Sequence, residues 1–162
     1  MIGTILVCMA VAGLAAAAAG VARATPSLEG PGTIRLTDRL VNHIHVRVAK
    51  TIEVNGKPKE RSRAGDLDLY RHTLQTRSAR PVTIGHSDIT CIDTGTGSEN
   101  CTGTYFLPKG KIMVGGVIAS RLFYELAVIG GTGLYDNVRG ILTVTYLDGA
   151  PERELVLFRL TV

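Results

Sequence analysis

Asp66, Arg139 and Glu125 are the ionisable residues best placed by their neighbours to do chemistry inside a folded pocket. Asp66 and Asp68 open one segment of alternating apolar and polar residues, Arg139 opens another, and Glu125 shares a face by parity with Arg121 and Phe123 in a third. A carboxyl group carried into an apolar interior loses solvation, so its pKa rises unless a cation such as Arg139 pairs with it. It can then act as a general acid or base, or hydrogen-bond a phenol or epoxide oxygen. Asp66 is the first candidate, with Arg139 and Glu125 behind it. Tyr70 and Tyr105 offer hydroxyl donors, and Phe123 an apolar contact for a bound molecule. The bland alternative for each charge is a solvated outer face or a structural Glu–Arg pair.

Other chemistries find less support. His43 and His45 are two apart and so project from one side of a strand, which is half of a metal site. A cupin pattern would need a glutamate four or five residues later, where Ala49 and Lys50 stand, and His72 and His86 belong to other segments. A metal is therefore not expected. No serine sits in a Gly-x-Ser-x-Gly elbow. The glycine cluster Gly130, Gly131 and Gly133 has no following helix to make it a phosphate cradle, so a structural role is expected, a sharp turn first and a close backbone approach second.

The elements that position these residues are strands. Apolar residues recur with period two, as in Ile44-His45-Val46-Arg47-Val48 and from Leu155 to Val162, and no helical period is sustained. Eight runs are predicted: 40–54, 65–76, 81–93, 100–107, 111–120, 122–129, 137–147 and 152–162. Asn55-Gly56, Pro108-Lys109-Gly110 and Asp148-Gly149 between runs carry hairpin-turn chemistry. Tight turns leave no room for parallel crossovers, so the sheet is expected to be antiparallel, and closing it into a barrel removes its edges. A two-sheet sandwich is the rival. The Lys57, Lys59, Arg61 and Arg63 group reads as a solvated hairpin tip.

The uncharged run Ile2–Val21 is followed by Ala22-Arg23-Ala24, a small-x-small cleavage pattern, so residues 1–24 are expected to be a signal peptide. Residues 25–39 would form an N-terminal extension and 40–162 the barrel domain. The protein is then expected to be secreted, with membrane contact only if the apolar segment is retained. In an oxidising compartment the pair Cys91 and Cys101, separated by a Gly/Ser/Thr-rich interval, reads as a disulfide clasping a hairpin tip, the alternative being two buried thiols. Cys8 lies in the apolar run. The net charge of +4 is modest, and without clustered Lys/Arg or interleaved aromatics no nucleic-acid partner is expected.

The segment from Glu125 to Gly140, Glu-Leu-Ala-Val-Ile-Gly-Gly-Thr-Gly-Leu-Tyr-Asp-Asn-Val-Arg-Gly, resembles the corresponding stretch of plant dirigent proteins and of the allene oxide cyclases that share their barrel. The stretch Gly65-Asp66-Leu67-Asp68-Leu69-Tyr70, with Cys91 to Cys101 and Thr102-Gly103-Thr104-Tyr105, is similar to bacterial exported members of that superfamily. The resemblance implies an eight-stranded up-and-down barrel with a cavity, free of cofactors, and a homo-oligomer, a trimer in the plant proteins. It implies a small hydrophobic or phenolic partner and a cofactor-free cyclase, isomerase or dirigent-like guide. A non-catalytic exported binding or structural barrel is the alternative, because fold does not fix function.

Overall fold

The computed structural model describes residues 32–47, 52–54, 57–59, 64–147 and 152–161. Alternation becomes a closed sheet: β1 (Thr33–Val46), β4 (Leu67–Thr76), β5 (Thr83–Asp93), β6 (Glu99–Leu107), β7 (Gly110–Ile118), β8 (Phe123–Gly133), β9 (Arg139–Leu147) and β10 (Arg153–Thr161). A small hairpin of β2 (Ile52–Val54) and β3 (Lys57–Lys59) lies between β1 and β4. Each barrel strand pairs antiparallel with its sequence neighbour, and β10 returns to β1, closing the barrel in the order β1-β10-β9-β8-β7-β6-β5-β4. The up-and-down barrel is therefore observed and the sandwich is not. The expected cleavage site and the side chains of the basic hairpin group fall outside the described residues. No described helix is long and apolar enough to cross a membrane.

Three departures from the sequence expectations bear on function. First, β1 starts at Thr33, ahead of the expected Leu40, so Ile34, Leu36 and Asp38 belong to the barrel. The missed signal was the same alternation that marked the other strands. Second, the register of β1 against β4 shifts between Leu40 and Asn42, a bulge that inserts one residue and reverses parity beyond it. Even-numbered Asp38 and odd-numbered His43 consequently face the same interior. Third, Gly130, Gly131 and Gly133 are not the turn but the end of β8. A Cβ on Gly131 would lie 2.2 Å from the Tyr135 carbonyl oxygen and 2.7 Å from that of Lys111. The glycines let the chain fold back closely, which seats Tyr135 and Val138 in the core.

Inside, Leu36, Leu74, Ile112, Val114, Leu142, Val144, Val156 and Phe158 fill one half of the barrel and leave almost nothing exposed. The disulfide joins Cys91 to Cys101, which face each other across β5 and β6. It pins the two strands below the 94–98 loop, and both sulfur-bearing residues are buried. Closing so short a loop contributes on the order of 2–3 kcal/mol through the entropy of the unfolded chain.

Gly131→Ala should cost about 2–3 kcal/mol, because the new methyl meets backbone oxygens rather than a side chain that can rotate away. Urea unfolding of the two proteins at one pH measures it.

Candidate active site in the barrel mouth

Alternation decides which side chains reach the interior. Asp38 on β1 and Glu154 on β10 are direct partners across the strand pair that closes the barrel, and both point inward. Asp38 is 1% exposed and Glu154 6%. His72 on β4 and Tyr124 on β8 are buried beside them, and the Tyr124 hydroxyl donates to Glu154 Oε2 at 3.4 Å. Above this group lies a cavity of about 180 Å³. Ile89, Ile118, Leu126 and the disulfide make its apolar wall, while His43, Tyr70, Arg121 and Glu152 join it from the mouth.

The electrostatics follow from burial. Neither Asp38 oxygen has a hydrogen-bond partner of normal geometry among the described residues. Desolvation, with the like charge of Glu154 added, pushes the Asp38 pKa up to about 8; the weak pull of the Glu154 backbone acts the other way. Desolvation, then the nearby Glu152 charge, raises Glu154 to about 7. Two facing carboxyls titrate as a pair, and this pair keeps a proton near neutral pH. Burial, aided by the Arg121 charge, drops His72 to about 4, so its ring is neutral. Burial also drives the Tyr124 hydroxyl well above its usual pKa, so it keeps its proton and can donate it in a hydrogen bond. The result is a wet-chemistry group in a dry wall: two carboxyls that retain a proton near neutral pH, one phenol and one neutral imidazole.

Donor atoms of Asp38, His72 and Glu154 all lie within 4.8 Å of one another, and these are the described residues that could hold a metal ion. A second grouping, Cys91, Glu99 and Cys101, has its sulfurs tied up in the disulfide.

The residues chosen from the sequence are dispersed by the fold. Tyr70 lines the cavity, with its hydroxyl raised to about 12, chiefly by burial. Tyr105 is inside but deeper, fully buried and edge-on to Phe158 at 5.0 Å between centroids. Asp66 is buried at the rim, 3.6 Å from His45 Nε2. Its neighbour Asp68 accepts hydrogen bonds from His43 Nε2 at 2.6 Å and His45 Nδ1 at 2.9 Å, and although burial opposes them, these bonds hold its pKa below the ordinary value. Glu125 and Phe123 must be corrected: they alternate with inward Tyr124 and Leu126 and therefore face out. Glu125 there accepts from Thr143 and Arg159 in an exposed cluster. Arg139 is corrected too, since it starts β9 at the opposite end of the barrel, exposed and donating to the Val138 carbonyl. Asp38, His72, Tyr124, Glu154 and Arg121 are the residues the sequence reading missed. Glu154 carried a legible signal, a carboxylate in phase with Val156, Phe158 and Leu160.

No protein-family model and no curated protein matches this chain. Solved structures do. A pyocyanin demethylase superposes with a TM-score of 0.60 at 24% identity, over 80% of this chain and 99% of its own. A pterocarpan synthase dirigent protein superposes with a TM-score of 0.53 at 17% identity, over 83% and 85%. A Diels–Alderase from Streptomyces koyangensis gives 0.50 at 15%, over 82% and 70%. The chain thus has the barrel fold of the allene oxide cyclase and dirigent-like proteins that its glycine segment resembles.

Asp38 and Glu154 also set a pH dependence of stability. Their folded pKa values are raised above the ordinary 3.8 and 4.5. The folded state therefore holds protons that the unfolded chain has lost, and the associated stability is complete below about pH 4 and declines as pH rises through 7 and 8. Each retained proton gives a slope of up to about 1.4 kcal/mol per pH unit. His72 acts with the opposite sign between about 6.5 and 4, but equally in a variant that keeps it. Asp38→Asn should therefore gain stability relative to wild type as pH rises from about 4.5 to 7.5, measured as the difference between their urea midpoints.

Proposed function

We propose that this barrel binds a small hydrophobic or phenolic molecule in its mouth cavity and moves a proton on it, as an isomerase or cyclase that needs no cofactor. The observation that carries this reading is the buried facing pair Asp38 and Glu154, of which Glu154 lines the open cavity beside the Tyr124 hydroxyl. A pair that keeps one proton near neutral pH can present a carboxylate to the cavity with the proton held behind it. Glu154, which lines the cavity, takes a proton from one carbon of the guest as carboxylate and returns it at another position, while Asp38 behind it holds the proton that the pair retains. Electrons shift through the conjugated system between the two positions, the double bonds move, and the enzyme ends with its proton count unchanged. Tyr124 and neutral His72 supply hydrogen bonds to the heteroatom without adding charge. The apolar wall keeps bulk water away from the partly transferred proton, and proton transfer by positioned groups contributes typically about 10²- to 10⁴-fold in rate. A volume of about 180 Å³ is below the roughly 300–1,000 Å³ of drug-sized sites, so the guest is compact.

Structural relatives support a chemical use of such an interior, since the barrels that superpose include a pyocyanin demethylase and a Diels–Alderase. The reading extends to location and assembly. The Cys91–Cys101 bond supports an oxidising, exported setting. Exposed Val117, Phe123, Ile129 and Ile141 on the outer sheet support contact between copies of the chain.

The test combines native mass spectrometry, to identify a bound small molecule, with proton exchange in D₂O. Compact conjugated phenols and heterocycles, pyocyanin among them, are incubated with the protein and followed by NMR for deuterium entering at carbon. Wild type should catalyse exchange, and Glu154→Gln should lower it about 100-fold or more. Binding without exchange would favour the non-catalytic binding barrel. Exchange that is abolished by a chelator and restored by zinc would make Asp38, His72 and Glu154 metal ligands and overturn the proton-pair reading.

A further inference from the structure

We propose that Arg121 is a latch across the barrel mouth, and that access of small molecules to the cavity is set by its release from Tyr70 and Glu99. Arg121 leaves the turn between β7 and β8, whereas Tyr70 stands on β4, three strands round the barrel from β7 and four from β8. The guanidinium nevertheless lies over the Tyr70 ring, 4.3 Å from its centroid. A side chain that starts on one wall and ends on the opposite one must cross the opening. Glu99, at the start of β6 between them, accepts from Arg121 Nη2 and fixes the arm on its way over.

The far anchor is itself held. His43 stacks on Tyr70, with ring centroids 4.4 Å apart and planes 7° from parallel, and His43 is bonded in turn to Asp68. Tyr70 is thus held against a stacked imidazole and by the guanidinium, in an orientation set by the strand pairing of β1 with β4. Arg121 also lines the cavity beneath, and its charge reaches His72, Tyr124 and Glu154 on the floor. One residue therefore roofs the pocket and biases its acid–base groups.

Both contacts that hold the arm are partly exposed, with Arg121 at 40% and Glu99 at 18% side-chain exposure, and contacts of this kind are individually weak and screened by salt. A latch so held opens readily without unfolding the barrel. Its nearest built-in comparison is the surface pair Arg71 and Asp88, which is bidentate but joins neighbouring strands on the outer wall and spans nothing.

The disulfide gives a readout that needs no substrate, so the result is independent of the proton-transfer reading. Cys91 and Cys101 are each 1% exposed and line the cavity under the latch. A thiol that reduces them in the folded protein must come through the mouth, because the hydrogen-bonded wall closes the other side. The full chain is treated with dithiothreitol under native conditions and the reduced fraction followed by mass spectrometry of alkylated samples. Arg121→Ala should be reduced about tenfold faster than wild type. Arg121→Lys, which keeps the charge but loses the flat stacking group, should fall between them. Added salt should speed reduction of wild type and leave Arg121→Ala unchanged. Leu122→Ala, an exposed neighbour in the same turn, should match wild type. Circular dichroism and urea midpoints verify that each variant is folded, and Tyr70→Leu provides an independent release of the arm should Arg121→Ala fail to fold. Equal reduction rates in wild type and a folded latch variant would overturn the proposal. So would wild-type reduction as fast as in urea-unfolded chain.

Discussion

Pairing of β1 with β10 is the constraint on which the rest depends. It turns an eight-strand meander into a closed wall, so every strand gains two partners and every side chain is committed to inside or outside. That same pairing brings Asp38 and Glu154 face to face. The step that removes the exposed edges of the sheet thus also creates an unfavourable contact in the interior, two facing buried carboxyls. Such a contact persists because the pair takes up a proton instead of remaining doubly charged, and because the apolar half of the barrel, with Phe158, Leu142 and Ile112 fully buried, outweighs it.

The two ends of the barrel divide the labour. At one, Tyr135 and Val138 fold under β8 and plug the interior, an arrangement that requires Gly131 to lack a side chain. At the other, the interior stays open and is bounded by ionisable groups: His43 and His45 on Asp68, Arg121 on Glu99, and Glu152 at the rim. The disulfide spans the depth between mouth and core, stiffening β5 and β6 where they form the cavity wall. A site built in this way sits on strands rather than on loops, so the spacing of its acid and base is set by backbone hydrogen bonds and changes little with side-chain motion. The Arg121 arm is the exception, since it springs from a turn and is held by exposed contacts.

Much of the fold was legible. Period-two alternation and hairpin-turn residues implied antiparallel strands, and the glycine segment implied the barrel with which solved structures superpose. Tyr70 was legible as a cavity residue, and Cys91 with Cys101 as a disulfide. Glu125 takes the outward face and the Glu–Arg pairing that the sequence left as its alternative, with Phe123 on the same face, while Asp38 was passed over because its strand was begun at Leu40. Even a correct start would have left the phase ambiguous, since the bulge between Leu40 and Asn42 puts Asp38 and His43 on the same side despite their opposite parity.

By itself, then, the sequence determined the period of most strands, most of the places where the chain turns, and which residue types were available for acid–base work, because these depend on local sterics and on neighbours a few positions away. Which of those residues meet was decided only by tertiary structure. Asp38 and Glu154 are separated by most of the chain, as are Arg121 and Tyr70 by the width of the barrel, and closure, register and one inserted residue choose among the possible faces. The raised carboxyl pKa values likewise exist only in the folded state, since they come from the removal of water by side chains that no local stretch of sequence brings together.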